Sequence, residues 1–322
     1  MLFVVARRES VNDTTRTARV ETCDTSEARL RVAALSRSGY YRDTTRTISE
    51  RALVAGDDYV DLGIDGKVAL VTGASSGLGR ACARALAAEG VSVALIARRK
   101  DELERVAAEI SAESKRKILP LVADVTDSDA TAAAVAEATA TLGPIDILIA
   151  NAGGPPSTNF ETTTFKQYVT AIELNLLSSI RLAQLVVPGM RKRQWGRVVF
   201  LTSTAAKQPI ASLILSNTAR AGLAGFAKTL ATECAHDNVL VNTILTGHFD
   251  TDRAMSLAAV ASQREHSTVD QMLRDRRKLI PLGRAGDPAE LASVVAFLSS
   301  QRASFVTGVA IPVDGGQIAT TF

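Results

Sequence analysis

"VALVTGASSGLGRACARALAAEG", Val68–Gly90, is the stretch that decides the fold. Val68–Thr72 is an apolar, partly β-branched run of strand length, and Arg80–Gly90 is rich in alanine and closed by a glycine, as helices often are. Between them lies GASSGLG. Gly73, Gly77 and Gly79 allow a tight turn and a close backbone approach, so Gly73, Ser75, Ser76, Gly77, Leu78 and Gly79 are expected to cradle a pyrophosphate at a helix N-terminus. A glycine loop set between a strand and a helix is a much stronger signal than the loop alone.

Working outward, the same alternation repeats. VSVALIARRK supplies a second strand, and ILPLVADVTD, IDILIANAGG and GRVVFLTS supply more, each separated by amphipathic helical stretches. Strands alternating with helices predict an α/β fold: a doubly wound parallel sheet covered on both faces, one domain over 60–322. At the end of the second strand, where an acid would bind ribose hydroxyls, stand Arg98 and Arg99. Guanidinium groups there favour a 2′-phosphate, hence NADP, with NAD as the alternative. Ser76 departs from this pattern, standing where many NADP-preferring chains place a second basic residue.

The spacing TGxxxGxG, followed by these segments in order, resembles the short-chain dehydrogenase/reductase family, and the resemblance continues to the C-terminus. It implies a Rossmann fold and further cofactor contacts. Asp124 and Val125 would flank the adenine. Asn151, Ala152 and Gly153 would line the cofactor after the fourth strand. In TGHFDTD, Gly247 and Thr251 match the family's PGxxxT segment, with Thr246 in place of proline, and Thr251 would hold the nicotinamide carboxamide.

The family's catalytic group is an Asn, a Ser, a Tyr and a Lys. Asn175 and Ser203 match the first two. Thirteen residues beyond Ser203, where the tyrosine belongs, stands Ser216, and four further on Arg220 replaces the lysine. An aliphatic hydroxyl is far less acidic than a phenol and Arg stays protonated, so the site is remodelled: Asn175, Ser203, Ser216 and Arg220 are the catalytic candidates, with Arg220 also on the ribose. His248 and Lys207 are substitute proton donors. Tyr168, the one tyrosine beyond the first 59 residues, lies on an earlier helix and is expected to pack at an interface. NAGGPP, AAKQP and SNTARAGL resemble a 3-oxoacyl-acyl-carrier-protein reductase-like subgroup with a degenerate Tyr/Lys pair. The implied activity is carbonyl reduction on a small-molecule or acyl-thioester substrate; the alternative is an inactive NADP(H)-binding sensor or partner subunit. Thr251–Ile280 would form a lid whose Arg274, Arg276, Arg277 and Lys278 face solvent or meet an acidic carrier. Homodimers or homotetramers pairing through the helices of Asn175 and Arg220 are implied as well.

Composition narrows the alternatives. Hydrophobic residues make up 46% and charged residues 22%, near a globular average, and no apolar stretch approaches the ~18 residues of a membrane span. The net charge of +3 comes without a dense basic, aromatic-interleaved run, which argues against nucleic acid. Cys23, Cys82 and Cys234 are odd in number and far apart, so neither a disulfide framework nor a metal site is expected, and a reducing cytoplasm fits. Residues 1–59 differ in kind, with ten arginines, no lysine, no proline and a repeated DTTRT. Disorder is the expectation for them. A second expectation is that Val60 is a GTG start codon, because family chains commonly open with phrases like VDLGIDGKVALVTG; 1–59 would then precede the natural chain.

Overall fold

The computed structural model describes residues 60–321, and the extension expected over 1–59 lies outside them. Seven strands alternate with helices. They are β1 (Val68–Thr72), β2 (Ser92–Ala97), β3 (Ile118–Val122), β4 (Ile147–Ala150), β5 (Gly196–Leu201), β6 (Val239–Thr246) and β7 (Ala310–Val313). All pair in parallel, in the order β3-β2-β1-β4-β5-β6-β7. A parallel sheet needs a crossover between neighbours, and the alternating helices supply it.

The period of two along each strand divides the core. Ala69, Val71, Val93, Leu95, Ile147, Ile149 and Val199 point to one face, packed under α1 (Gly77–Ala88), α2 (Lys100–Ser114) and α9 (Pro288–Leu298). Leu70, Ala94, Ile96, Leu148, Val198 and Phe200 point to the other. There α3 (Ser128–Leu142), α5 (Ser178–Lys192) and α6 (Ile214–Cys234) cover them. Both faces are buried, which is why these strands read as continuous apolar runs. Burying such a side chain contributes about 1.5–3 kcal/mol, so the two layers account for the docking of every crossover helix.

Local chemistry sets several helix ends. Asp127 caps α3 by accepting from the Asp129 and Ala130 N–H groups, and Asp287 and Glu290 form a reciprocal capping box at α9. The helix predicted from Arg80 begins three residues earlier, at Gly77, inside the glycine loop. Helix α4 (Phe165–Ile172) runs through a π-turn, Glu173–Leu177, directly into α5. This helical run, Phe165–Lys192, has the length and apolarity to cross a membrane, a property not apparent from the unbroken apolar stretches. Leu182, Ala183, Val186, Val187 and Met190 on its inner side are packed in the sheet core.

The strand order reverses between β1 and β4. Loops from the two diverge at the C-terminal end of the sheet and leave a crevice there, the usual ligand position in doubly wound folds.

Candidate functional site

A cleft of about 520 Å³ opens at this crevice, lined by loops at the C-terminal ends of six strands and by residues of the helices that follow them, among them Ser216 and Arg220. All the sequence-predicted site residues except Gly79 and Asn175 face it directly: Gly73, Ser75, Ser76, Gly77, Leu78, Arg98, Arg99, Asp124, Val125, Asn151, Ala152, Gly153, Ser203, Ser216, Arg220, Gly247 and Thr251. Gly79 and Asn175 lie one layer behind.

At one end the glycine loop is built by close contact. Gly73 and Gly77 adopt φ of +60° and +55°, in the left-handed region that favours glycine. A Cβ on Gly79 would lie 2.3 Å from the Gly73 carbonyl oxygen, so only hydrogen fits there. Asn151 seals the loop. Thr72 Oγ1 donates to the Asn151 carbonyl oxygen at 2.7 Å and accepts from its N–H at 2.9 Å, locking the end of β4 to that of β1. Such a cradle at the start of α1 leaves the first N–H groups of the helix for a diphosphate, so the residues fit a dinucleotide.

Beside this cradle, Arg99 donates to Ser75 Oγ at 3.4 Å and to Ser76 Oγ at 3.3 Å, and pairs with Glu102 at 2.5 Å. Ser76 thus anchors Arg99 where a second basic residue was looked for. Arg98 pairs with Asp124 at 3.5 Å. Asp124 Oδ1 already accepts from the Thr126 N–H and hydroxyl, at 3.0 and 2.8 Å. Desolvation pushes the Asp124 carboxyl up, but Thr126 and Arg98 outweigh it and hold the group below its ordinary value.

The other end gathers the four catalytic candidates. Asn175 is buried in the π-turn, a feature frequent at functional sites, and donates to the Gly153 carbonyl oxygen at 2.7 Å. Its Oδ1 has no hydrogen-bond partner among the described residues. Ser203 Oγ accepts from the Ala205 N–H at 3.2 Å, which leaves its own proton free to donate. Ser216 and Arg220, four apart on α6, share its cleft-facing side. Arg220 is only 6% exposed; Nη1 donates to the Leu201 carbonyl oxygen at 2.7 Å and Nη2 to that of Ala152 at 3.4 Å. Its Nε has no partner among the described residues. Burial first, and then the charge of Arg253, push its pKa down to about 10, which still leaves it a cation at neutral pH.

Thr251 caps α7 (Asp252–Arg264), accepting from the Ala254 N–H, and its side chain sits opposite Gly77. Gly247 packs so tightly on Asp314 that a Cβ would lie 2.5 Å from the Asp314 Cα. Thr246, in the proline position, donates to the Thr202 carbonyl oxygen at 2.8 Å and ties β6 to β5. The segment expected as a lid consists of α7 and α8 (Val269–Lys278), packed together through Ala258, Met272 and Leu273.

The substitute donors fare differently. Lys207 ends a short 3₁₀ turn and does not face the cleft. His248 does face it, with a buried Nε2 that has no partner among the described residues. Desolvation, then Arg276 and Arg277, lower its pKa against an opposing pull from Asp250 and so favour the neutral ring. Tyr168 lies on α4 away from the cleft. Among the described residues, no group of three or more His, Cys, Asp or Glu is placed to hold a metal.

Sequence reasoning missed Arg253. Its Nη2 crosses the cleft mouth to donate to the Pro155 carbonyl oxygen at 2.6 Å, a contact spanning 98 residues. A basic residue two positions past Thr251 was the available signal.

Comparison with known proteins agrees with this geometry. A profile described as short chain dehydrogenase matches residues 67–261. The 3-oxoacyl-[acyl-carrier-protein] reductase MabA of Mycobacterium tuberculosis is 32% identical over 247 residues, covering 77% of this chain and 91% of that one. The corresponding FabG of Aquifex aeolicus is 33% identical over 257 residues, 80% of this chain and 99% of its own. L-sorbose reductase from Gluconobacter frateurii, solved with NADPH and L-sorbose, superposes with a TM-score of 0.77 at 34% identity, covering 81% of this chain and all of that one. A glycine cradle at the β1/β4 crevice, an Asn and a Ser in register beyond it, and this extent of identity have one reading: the chain belongs to the short chain dehydrogenase family.

Proposed function

We propose that the chain is an NADP-dependent carbonyl reductase, with 60–322 as its catalytic unit and a remodelled proton-donating site. The observation that carries this reading is a single cleft with the glycine cradle and Arg99 at one end and Ser203, Ser216 and Arg220 at the other. The bound dinucleotide would supply the hydride. The chain's own residues position the rest. The glycine loop and the start of α1 hold the diphosphate, and Arg99 meets the 2′-phosphate. Thr251 orients the nicotinamide carboxamide. Ser203 donates to the substrate carbonyl oxygen, while the fixed charge of Arg220 favours negative charge developing on that oxygen.

Losing the phenol removes a general acid worth about 10²–10⁴-fold but leaves the proximity of hydride and carbonyl intact. Slow turnover is therefore expected. The similarity to FabG and MabA makes 3-oxoacyl thioesters the first substrates to test. A second reading, an NADP(H)-binding sensor or partner subunit, is favoured by the two backbone carbonyls that occupy Arg220. Mixing the purified protein and NADPH with 3-oxoacyl thioesters and small ketones separates the two. Reduction that disappears in an Asn175→Ala/Ser203→Ala double variant supports the reductase, and tight NADPH binding without oxidation across the panel supports the sensor.

A further inference from the structure

The two ends of the cleft differ in how their charges are met. At the adenosine end every guanidinium has a carboxylate: Arg98 pairs with Asp124 and Arg99 with Glu102. At the catalytic end, Arg220 and Arg253 form no ion pair among the described residues, and only backbone carbonyls receive their N–H groups. Among the described residues the acid facing that end, Asp252, is exposed in the first turn of α7, where the helix N-terminus favours it. Behind His248 stand Arg276 and Arg277, of which Arg277 meets Asp250 at 3.6 Å.

Burying the Arg220 guanidinium without a counter-charge carries a desolvation penalty that its two carbonyl contacts offset, and the charge of the exposed Arg253 adds a repulsion. A fold tolerates such an arrangement where a ligand completes it. Donors remain uncommitted: a guanidinium has five N–H groups, of which Arg220 commits two and Arg253 one to backbone carbonyls among the described residues. The dinucleotide phosphates are already provided for at the glycine cradle and Arg99, at the opposite end.

We propose that the cleft takes an oxo acid, its carboxylate held between Arg220 and Arg253 and its carbonyl oxygen at Ser203. The inference rests on the reductase reading above and specifies its substrate class. Planar guanidinium groups match a carboxylate by paired, charge-assisted hydrogen bonds. Leu213 and Leu257 line the same end and receive the apolar remainder of the substrate. In the reaction the carbonyl carbon accepts a hydride from the reduced dinucleotide. The carbon–oxygen π pair moves to oxygen, which takes up a proton from solvent through the Ser203 hydroxyl. The oxo acid becomes a hydroxy acid, reduced by two electrons as the dinucleotide is oxidised by two.

The test titrates the full chain, loaded with NADPH, with a ladder of 2-oxo and 3-oxo acids and with their methyl esters, following both nicotinamide fluorescence and single-turnover oxidation. NADPH affinity is measured alongside. Acids are expected to bind about ten- to hundredfold more tightly than their esters, the worth of a charged hydrogen bond. Arg253→Ala, on a cleft-mouth residue whose loss spares the core, is expected to erase that difference while NADPH affinity is retained, and Arg253→Lys to restore part of it. Equal binding of acids and esters, or no binding of any acid, overturns the inference and leaves the reductase reading standing. If Arg253→Ala weakens NADPH and acids alike, Arg253 belongs to the cofactor site and the inference also fails. A wild-type chain that does not bind NADPH overturns the reductase reading and this inference with it.

Discussion

Arg220 Nη1 donates to the carbonyl oxygen of Leu201 at 2.7 Å, so the last residue of β5 is held by a side chain from the second turn of α6. Removing that donor leaves a buried carbonyl unpartnered. Arg220→Ala is expected to lower stability by about 1–3 kcal/mol, read as a lower midpoint in urea unfolding. An unchanged midpoint would show that the contact contributes nothing to folding.

Ser216 stands one helical turn before Arg220 on the cleft side of α6. Ser216→Tyr would place a phenol beside a fixed cation, which favours its ionised form and brings its pKa towards neutrality. Turnover of an identified substrate is expected to rise by about 10²–10⁴-fold, the usual worth of a positioned general acid. Turnover that stays at the wild-type rate contradicts the view that only the acid is missing.

Under the proposed function, cofactor choice rests on Arg99, which donates to Ser75 and Ser76. Arg99→Ala is expected to weaken NADPH binding by about ten- to hundredfold and leave NADH binding alone. Fluorescence titration with both nucleotides checks this, and equal losses for the two would remove Arg99 from the 2′-phosphate site.

Gly79 has no room for a methyl group beneath Gly73. Gly79→Ala forces the glycine loop away from α1, at a cost of about 1–3 kcal/mol, and is expected to abolish dinucleotide binding even where the protein folds. Retained NADPH affinity in this variant would place the cofactor elsewhere.

His248 gives a pH dependence with a definite sign. Its pKa in the folded chain lies below the ordinary 6.5, from desolvation first and then Arg276 and Arg277. The unfolded chain therefore binds the proton more readily. The neutral ring contributes stability that is present above pH 6.5 and lost as pH falls below it towards the folded value. Thermal midpoints of the wild type should fall more steeply through this window than those of His248→Gln; parallel curves would show that the imidazole is not held neutral.

Much of this was legible because backbone requirements leave marks on sequence. A strand buried on both faces must be apolar throughout, as Val68–Thr72 and Ser92–Ala97 are, and a loop with two positive φ values and a contact that excludes a Cβ must be glycine at Gly73, Gly77 and Gly79. Ser216 and Arg220 were located by counting on from Ser203 along the family's motif spacing, so the resemblance found them. Contacts between distant segments leave no such mark. Arg253 on the Pro155 carbonyl, Thr72 on Asn151 and Thr246 on Thr202 depend on which loops the sheet brings together. The π-turn at Asn175 was invisible because one wide turn hardly alters a helical pattern. Lys207, at the end of a three-residue 3₁₀ segment and absent from the cleft lining, depends on the same kind of local detail.

The central claim is that this cleft transfers hydride to a carbonyl carbon. Incubating the chain with NADPH carrying deuterium at C4 and a panel of oxo acids, ketones and 3-oxoacyl thioesters, then examining the products by mass spectrometry, tests it most directly. The account predicts one deuterium on the new carbinol carbon of at least one compound, absent when Asn175 and Ser203 are both replaced by alanine. Tight NADPH binding with no deuterium transferred to any of them would contradict it and leave a dinucleotide-binding protein without chemistry.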